Sequence, residues 1–193
     1  MVRFGKWSEL LAEPRPDPKY VVLTGFWLHG RGMALAGTGK LAEAQASLAE
    51  LVKLAAAAPA DLQAGLNPAR DVLAVGAKIL EARIATLRRQ KNGLALWAEA
   101  VALEDKLSYS EPNDWFYPVR HYQGAALLAA GRAKEAEAVY REDLRRNPGN
   151  GWSLYGLTQA LRKQKKAKEA GDVEAQFAKA WADADTKLVA TAF

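Results

Sequence analysis

The stretch that most constrains this chain runs from Gly124 to Pro148, GAALLAAGRAKEAEAVYREDLRRNP. It reads as two short helices joined at Gly131, where a residue tolerant of positive φ is useful. The same frame runs along the whole sequence. The turn position falls at Gly5, Gly39, Arg89, Gly131 and Lys165, at intervals of 34, 50, 42 and 34 residues. Seven residues before each of the last four turns stands a small side chain: Gly32, Ala82, Gly124 and Thr158. Five residues after the turns come Leu10, Ala44, Leu94, Ala136 and Ala170, again small or aliphatic.

These residues carry a resemblance. The tetratricopeptide signature is W-x2-L-G-x2-Y, then A-x3-F, then P, repeating every 34 residues. Gly124 takes the Gly slot, Leu127 the Tyr slot, Ala136-x3-Tyr140 the A-x3-F element, and Pro148 closes the unit. Arg120 and Gln123 stand where Trp and Leu are usual. The chain resembles the tetratricopeptide repeat family over nearly its full length, and resembles the C-terminal part of longer bacterial members. The resemblance implies an all-α, right-handed helical-hairpin solenoid with about four hairpins and a leading half-hairpin. The expected divisions are a half-repeat at 1–13, hairpins at 19–58, 69–107, 114–147 and 150–182, and a capping tail at 183–193, within one domain.

Taken in order, Met1 to Glu13 reads as the second helix of a repeat, with Trp7, Leu10 and Leu11 on its buried stripe and a face left to cover. Self-association through that N-terminal face is one expected consequence. Pro14, Pro16 and Pro18 stop the helix and form a stiff connector. Lys19 to Leu35 and Leu41 to Ala58 form the next pair, the latter with Leu41, Ala44, Leu48, Leu51 and Val52 at helical spacing. Pro59 to Pro68 is a loop, and Asn67-Pro68 is expected to cap the following helix. That helix spans Ala69 to Arg89, and Leu94 to Leu107 returns. Ser108 to Asn113 is a loop. Trp115, Phe116 and Tyr117 precede Pro118 and are expected to pack between repeats. The tail, with Leu188, Val189 and Phe193, is expected to lie over the last helix.

Composition narrows the function classes. At 193 residues the chain is one domain or one short solenoid. It contains no Cys, hence no disulfide and no thiolate metal site. No apolar run approaches the ~20 residues of a membrane span, and the N-terminus lacks the apolar core of a signal peptide. A soluble protein follows, with the cytoplasm favoured over the periplasm. The net charge of +5 favours acidic partners mildly. Gly37-Thr38-Gly39-Lys40 lacks the Ser or Thr that a phosphate loop needs after its Lys, and helix rather than strand precedes it. The two histidines, His29 and His121, have no recognisable Ser and acid around them in sequence, and a shared metal is disfavoured by a whole repeat between them. No cofactor and no metal site is expected.

By resemblance, the first helix of each hairpin lines a binding groove. The slots that point into it hold Phe26, His29 and Met33, then Arg83 and Thr86, then His121, then Trp152, Tyr155, Gln159 and Arg162. Aromatics with Arg and His suit an extended peptide or a helix. The expected function is a non-catalytic protein-interaction module or scaffold. One alternative is a repeat region of a longer protein with its catalytic or metal-binding part upstream. Another is binding of nucleic acid or an anionic surface by a basic turn edge, from Lys6, Lys40, Arg88, Arg89, Lys91, Arg132, Lys163, Lys165, Lys166 and Lys168. RNA is disfavoured there because no aromatics interleave with these cations as stacking platforms would.

Overall fold

The computed structural model describes residues 1–192. After a 3-10 turn at Val2–Phe4, the helices are α1 (Trp7–Ala12), α2 (Val21–Gly37), α3 (Leu41–Ala57), α4 (Ala69–Leu87), α5 (Gly93–Glu104), α6 (Arg120–Ala129), α7 (Ala133–Arg146), α8 (Gly151–Lys163) and α9 (Ala167–Ala180). The protein is all-α apart from a two-residue antiparallel pair, β1 (Gln63–Ala64) and β2 (Asn67–Pro68). It divides into two compact units, Met1–Tyr117 and Pro118–Ala192.

All five expected turn positions have positive φ: Gly5 at 63°, Gly39 at 81°, Arg89 at 55°, Gly131 at 76° and Lys165 at 62°. Their hydrogen bonds repeat. The turn residue's N–H donates to the carbonyl three residues back, as from Gly39 to Ala36 and from Lys165 to Arg162. The next N–H donates five residues back: Lys6 to Met1, Lys40 to Leu35, Gln90 to Ala85, Arg132 to Leu127 and Lys166 to Leu161. This is the Schellman closure, which satisfies the last carbonyls of the outgoing helix.

In the first unit α2 packs on α1, α3 and α4, and α4 packs on α3 and α5. The α2–α4 approach is set by Gly25 and Gly32, one face of α2 at seven-residue spacing. A Cβ at either would lie 2.3 Å from Cδ2 of Leu73 or of Leu80. Leu28, Met33, Leu51, Leu73, Ile79, Leu80 and Trp97 fill this core, each large aliphatic side chain contributing about 2 kcal/mol of burial. Trp7 lies against Gly37 and Leu10 against Gly30, so the stripe of α1 is half-covered by α2 within this unit.

In the second unit each helix from α6 to α9 packs on the next, and α6 also touches α8. Tyr140 of α7 is the wedge. Cβ atoms at Gly124 of α6 or Gly156 of α8 would each lie 2.3 Å from its Cζ. Glu137 ties α7 to the α8–α9 turn, accepting from Lys166 Nζ at 2.8 Å, Gln164 Nε2 at 2.7 Å and Arg141 Nε at 2.9 Å. Burial works to raise this carboxyl, but the three donors hold it down to about 2.

Two local expectations are corrected. Asn67 does not cap α4: its Oδ1 accepts from Ser108 N at 2.7 Å and its Nδ2 donates to Ser108 O at 3.0 Å. Both side-chain groups are taken by the 105–114 loop, and Pro68 stands at the cap. Leu94 is only half-buried, because α5 starts at Gly93, four residues after its turn, so Leu96 takes that slot, three residues into its helix as Ala44 and Ala136 are in theirs, and Trp97 is buried beside it. The tail touches the end of α9, where Thr186 O accepts from Trp181 Nε1 at 2.6 Å, and reaches beyond it: Thr191 Oγ1 lies 2.7 Å from the Tyr140 hydroxyl and donates to His121 O at 3.0 Å. Leu188 is buried and Val189 exposed, while Phe193 lies outside the described residues.

Candidate functional site

The sequence points first to the histidines, and each anchors a buried polar centre. His29 projects from α2 and is 1% exposed. Its Nδ1 lies 2.9 Å from the Gly76 carbonyl and its Nε2 2.9 Å from the Tyr117 hydroxyl. A carbonyl only accepts, so Nδ1 carries the proton and Nε2 accepts from the tyrosine. The neutral ring is thereby satisfied at both nitrogens. Burial drives its pKa down from 6.5 to about 4, against the Gly76 bond, which favours the proton. Trp115 meets the ring edge-on at 4.9 Å, and Phe26 and Phe116 pack outside it.

The second centre is Asp143 of α7, 1% exposed. Its Oδ2 accepts from Ser153 Oγ at 2.5 Å and Asn150 Nδ2 at 3.2 Å, and its Oδ1 from Asn147 Nδ2 at 3.0 Å. His121 Nε2 lies 3.4 Å from Oδ2. Burial works to raise the carboxyl, but His121, Ser153 and Asn147 outweigh it and hold Asp143 below the usual aspartate range. Fold thus brings a Ser, a His and an Asp together, which sequence spacing did not reveal. The wiring differs from that of a nucleophilic triad, because Ser153 donates to the carboxylate rather than to the imidazole. All three side chains are buried, so the network ties α6, α7 and α8.

The ten expected groove residues scatter across these environments. His29, Met33, His121 and Trp152 are buried. Phe26, Arg83, Thr86, Tyr155 and Gln159 are half-buried, and Arg162 is exposed. Thr86 is engaged within its hairpin, its hydroxyl donating to Ala82 O at 2.8 Å and accepting from Trp97 Nε1 at 2.9 Å. Trp152 stacks on His121 with centroids 6.3 Å apart, Tyr155 meets Phe177 at 5.7 Å, and Arg162 forks onto Glu174 at 2.6 and 2.7 Å. Of the basic turn residues, Arg132 pairs with Glu135 and Lys166 with Glu137, whereas Lys163, Lys165 and Lys168 are exposed.

The open concave surface of the first unit lies elsewhere. A groove of about 860 Å³ runs along α4 between α3 and α5. Leu48, Ala49, Val52 and Ala56 of α3, Ala74 of α4 and Leu103 of α5 give it an apolar floor, and Arg70, Asp71, Lys78 and Glu81 of α4 a charged edge. Lys78 bridges Glu81 at 2.8 Å and Glu99 at 3.0 Å, which braces the α5 side. Val52 is 51% exposed. The sequence shows Leu48, Leu51 and Val52 as one stripe of α3, but spacing alone does not say which edge stays open: Leu48 and Leu51 are buried, and Val52 is left to the groove.

Among the described residues no group of three or more His, Asp and Glu side chains is placed to hold a metal ion, and no helix is long and apolar enough to cross a membrane. No family model, curated protein or solved structure matches the chain.

Proposed function

We propose that this chain is a non-catalytic protein-interaction module of tetratricopeptide type, and that it takes an apolar helix face or peptide segment in the groove along α4. The groove carries the reading. Its floor is apolar and its edge charged, the anatomy of a surface that excludes water at its centre and orients a partner at its rim. Arg70 and Glu81 both line it, and eleven residues of helix span about 16 Å, room for roughly three turns of a partner helix. The buried polar centres are occupied by the chain's own groups, whereas the groove is open. The repeat reading rests on five turns of one hydrogen-bond pattern and on the contact between first helices within each unit, α2 with α4 and α6 with α8.

A photo-crosslinking residue in place of Val52 tests this in cells. The expected result is one discrete adduct with another protein, absent when the probe replaces exposed Lys187 and lost when Ala74→Glu is added. Adducts of the same size from both positions, or an adduct insensitive to Ala74→Glu, would remove the groove as the working surface.

A further inference from the structure

Between α1 and α2 three prolines stand at alternate positions, Pro14, Pro16 and Pro18. Each fixes its own φ near −65°. Arg15 and Asp17 each precede a proline, which excludes the helical region for them. Glu13 has φ −62° and ψ 126°. Residues 13–15 thus begin an extended strap of polyproline type, which runs to Asp17, whose carbonyl accepts from Tyr20 N at 3.0 Å as the chain turns at Pro18.

The strap is read by α2 and α3. The Glu13 carbonyl, immediately before Pro14, accepts from Trp27 Nε1 at 3.0 Å. The Arg15 guanidinium carbon lies 5.5 Å from the centroid of the Trp27 ring, and Arg15 pairs with Glu50 of α3. These groups line a cleft of about 620 Å³ that also includes Arg31 and Glu43. An indole that donates to the carbonyl before a proline is the aromatic docking by which polyproline segments are bound. A carboxylate that takes the arginine of the same segment adds a charge-assisted contact and fixes its direction.

We propose that the face of α2 and α3 around Trp27 and Glu50 is a recognition site for an extended proline-rich segment carrying an arginine between prolines, and that Glu13 and Arg15 of the strap hold it in cis. The occupant follows from those two contacts, the Glu13 carbonyl on Trp27 and Arg15 on Glu50. A tethered segment competes at an effective concentration on the order of millimolar, so a segment from elsewhere binds only as the strap leaves. The site is distinct from the groove along α4 and is tested independently of it.

The experiment titrates a fluorescein-labelled peptide, Glu-Pro-Arg-Pro-Asp-Pro, into the full chain and into a Pro14→Gly, Arg15→Gly variant of unchanged circular dichroism, followed by anisotropy. The expected result is saturable binding to the variant at least about tenfold tighter than to wild type, because the tethered competitor is removed. Adding Trp27→Ala or Glu50→Lys abolishes it, and adding Val52→Glu leaves it intact. No binding to the variant at roughly 1 mM peptide, the effective concentration of the strap itself, overturns the assignment, as does equal binding after Trp27→Ala. Should the double variant lose helicity, the wild-type chain decides: the Trp27 indole N–H resonance shifts with excess peptide if the site is as proposed, and an unmoved resonance overturns it.

Discussion

The two units solve the same problem, a polar group inside a helical hairpin stack, in opposite ways. Around His29 the first unit keeps the group neutral, with one donor and one acceptor matched to the ring and aromatic walls outside. Around Asp143 the second unit keeps the group ionised and surrounds it with Ser153, Asn147, Asn150 and His121. A neutral centre costs little to bury, and protonating it costs stability. A charged centre costs more to bury, and it then commits every neighbour to its charge. The lesson is that burial sets the protonation state at His29, against its hydrogen bond to Gly76, whereas at Asp143 the hydrogen-bond donors outweigh burial.

The largest test of this contrast is Asp143→Ala. It strands Ser153 and the donors of Asn147 and Asn150 in a buried site, and the expected loss is about 3–5 kcal/mol from the second unit, measured by urea unfolding. Asp143→Asn tests the same point, because an amide offers one acceptor oxygen where the carboxylate uses two. Equal stability of Asp143→Asn and wild type would break the reading of a charged centre.

Acidification separates the units next. His29 has a folded pKa of about 4 against 6.5 in an unfolded chain. Its contribution is therefore fully present above pH 6.5 and is lost as pH falls towards 4, by about 3 kcal/mol on the linkage between pKa and stability. Asp143 is depressed below 3.8, so its contribution persists through that window and fades only below it. Hydrogen exchange at pH 7 and pH 4.5 checks this: protection of α2 and α4 should fall while that of α7 and α8 holds. His29→Gln should lower stability at pH 7 and flatten the fall between pH 6.5 and 4.

The smallest test is a control in which the units should agree. Arg89 and Lys165 hold positive φ where Gly5, Gly39 and Gly131 do so without a Cβ. Arg89→Gly and Lys165→Gly relieve that strain, offset in part by the freedom glycine gains when unfolded, for an expected gain of about 0.5 kcal/mol each in thermal unfolding. A gain in one unit alone would mean that the turns are not equivalent.

The turns were the most legible feature of the sequence. Gly39 and Gly131 announce a left-handed residue directly, and Arg89 and Lys165 were found only by counting along the frame, because neither side chain favours that backbone. Helix ends followed within a few residues for the same reason. Asn67 was misread because an Asn before a Pro signals a cap locally, whereas its partners at Ser108 and Asp114 lie more than forty residues away. The polar centres were hidden likewise: His121 meets Asp143 and Ser153 only when three helices are stacked. The groove along α4 was missed because slots derived from first helices pass over Val52 and Leu48 of α3.

The repeated turn also acts as a phase standard. Each residue of an α-helix advances its side chain by about 100° around the axis. Four of the five turns deliver the chain to the next helix two residues later, so the returning stripe meets its neighbour in the same rotation each time. The extra residues of the two longer intervals fall largely between hairpins, at 58–68 and 105–119. In the second hairpin, where two more residues enter before α5, the core slot moves by the same two, from Leu94 to Leu96. Inside a hairpin, a change of length is a change of angle.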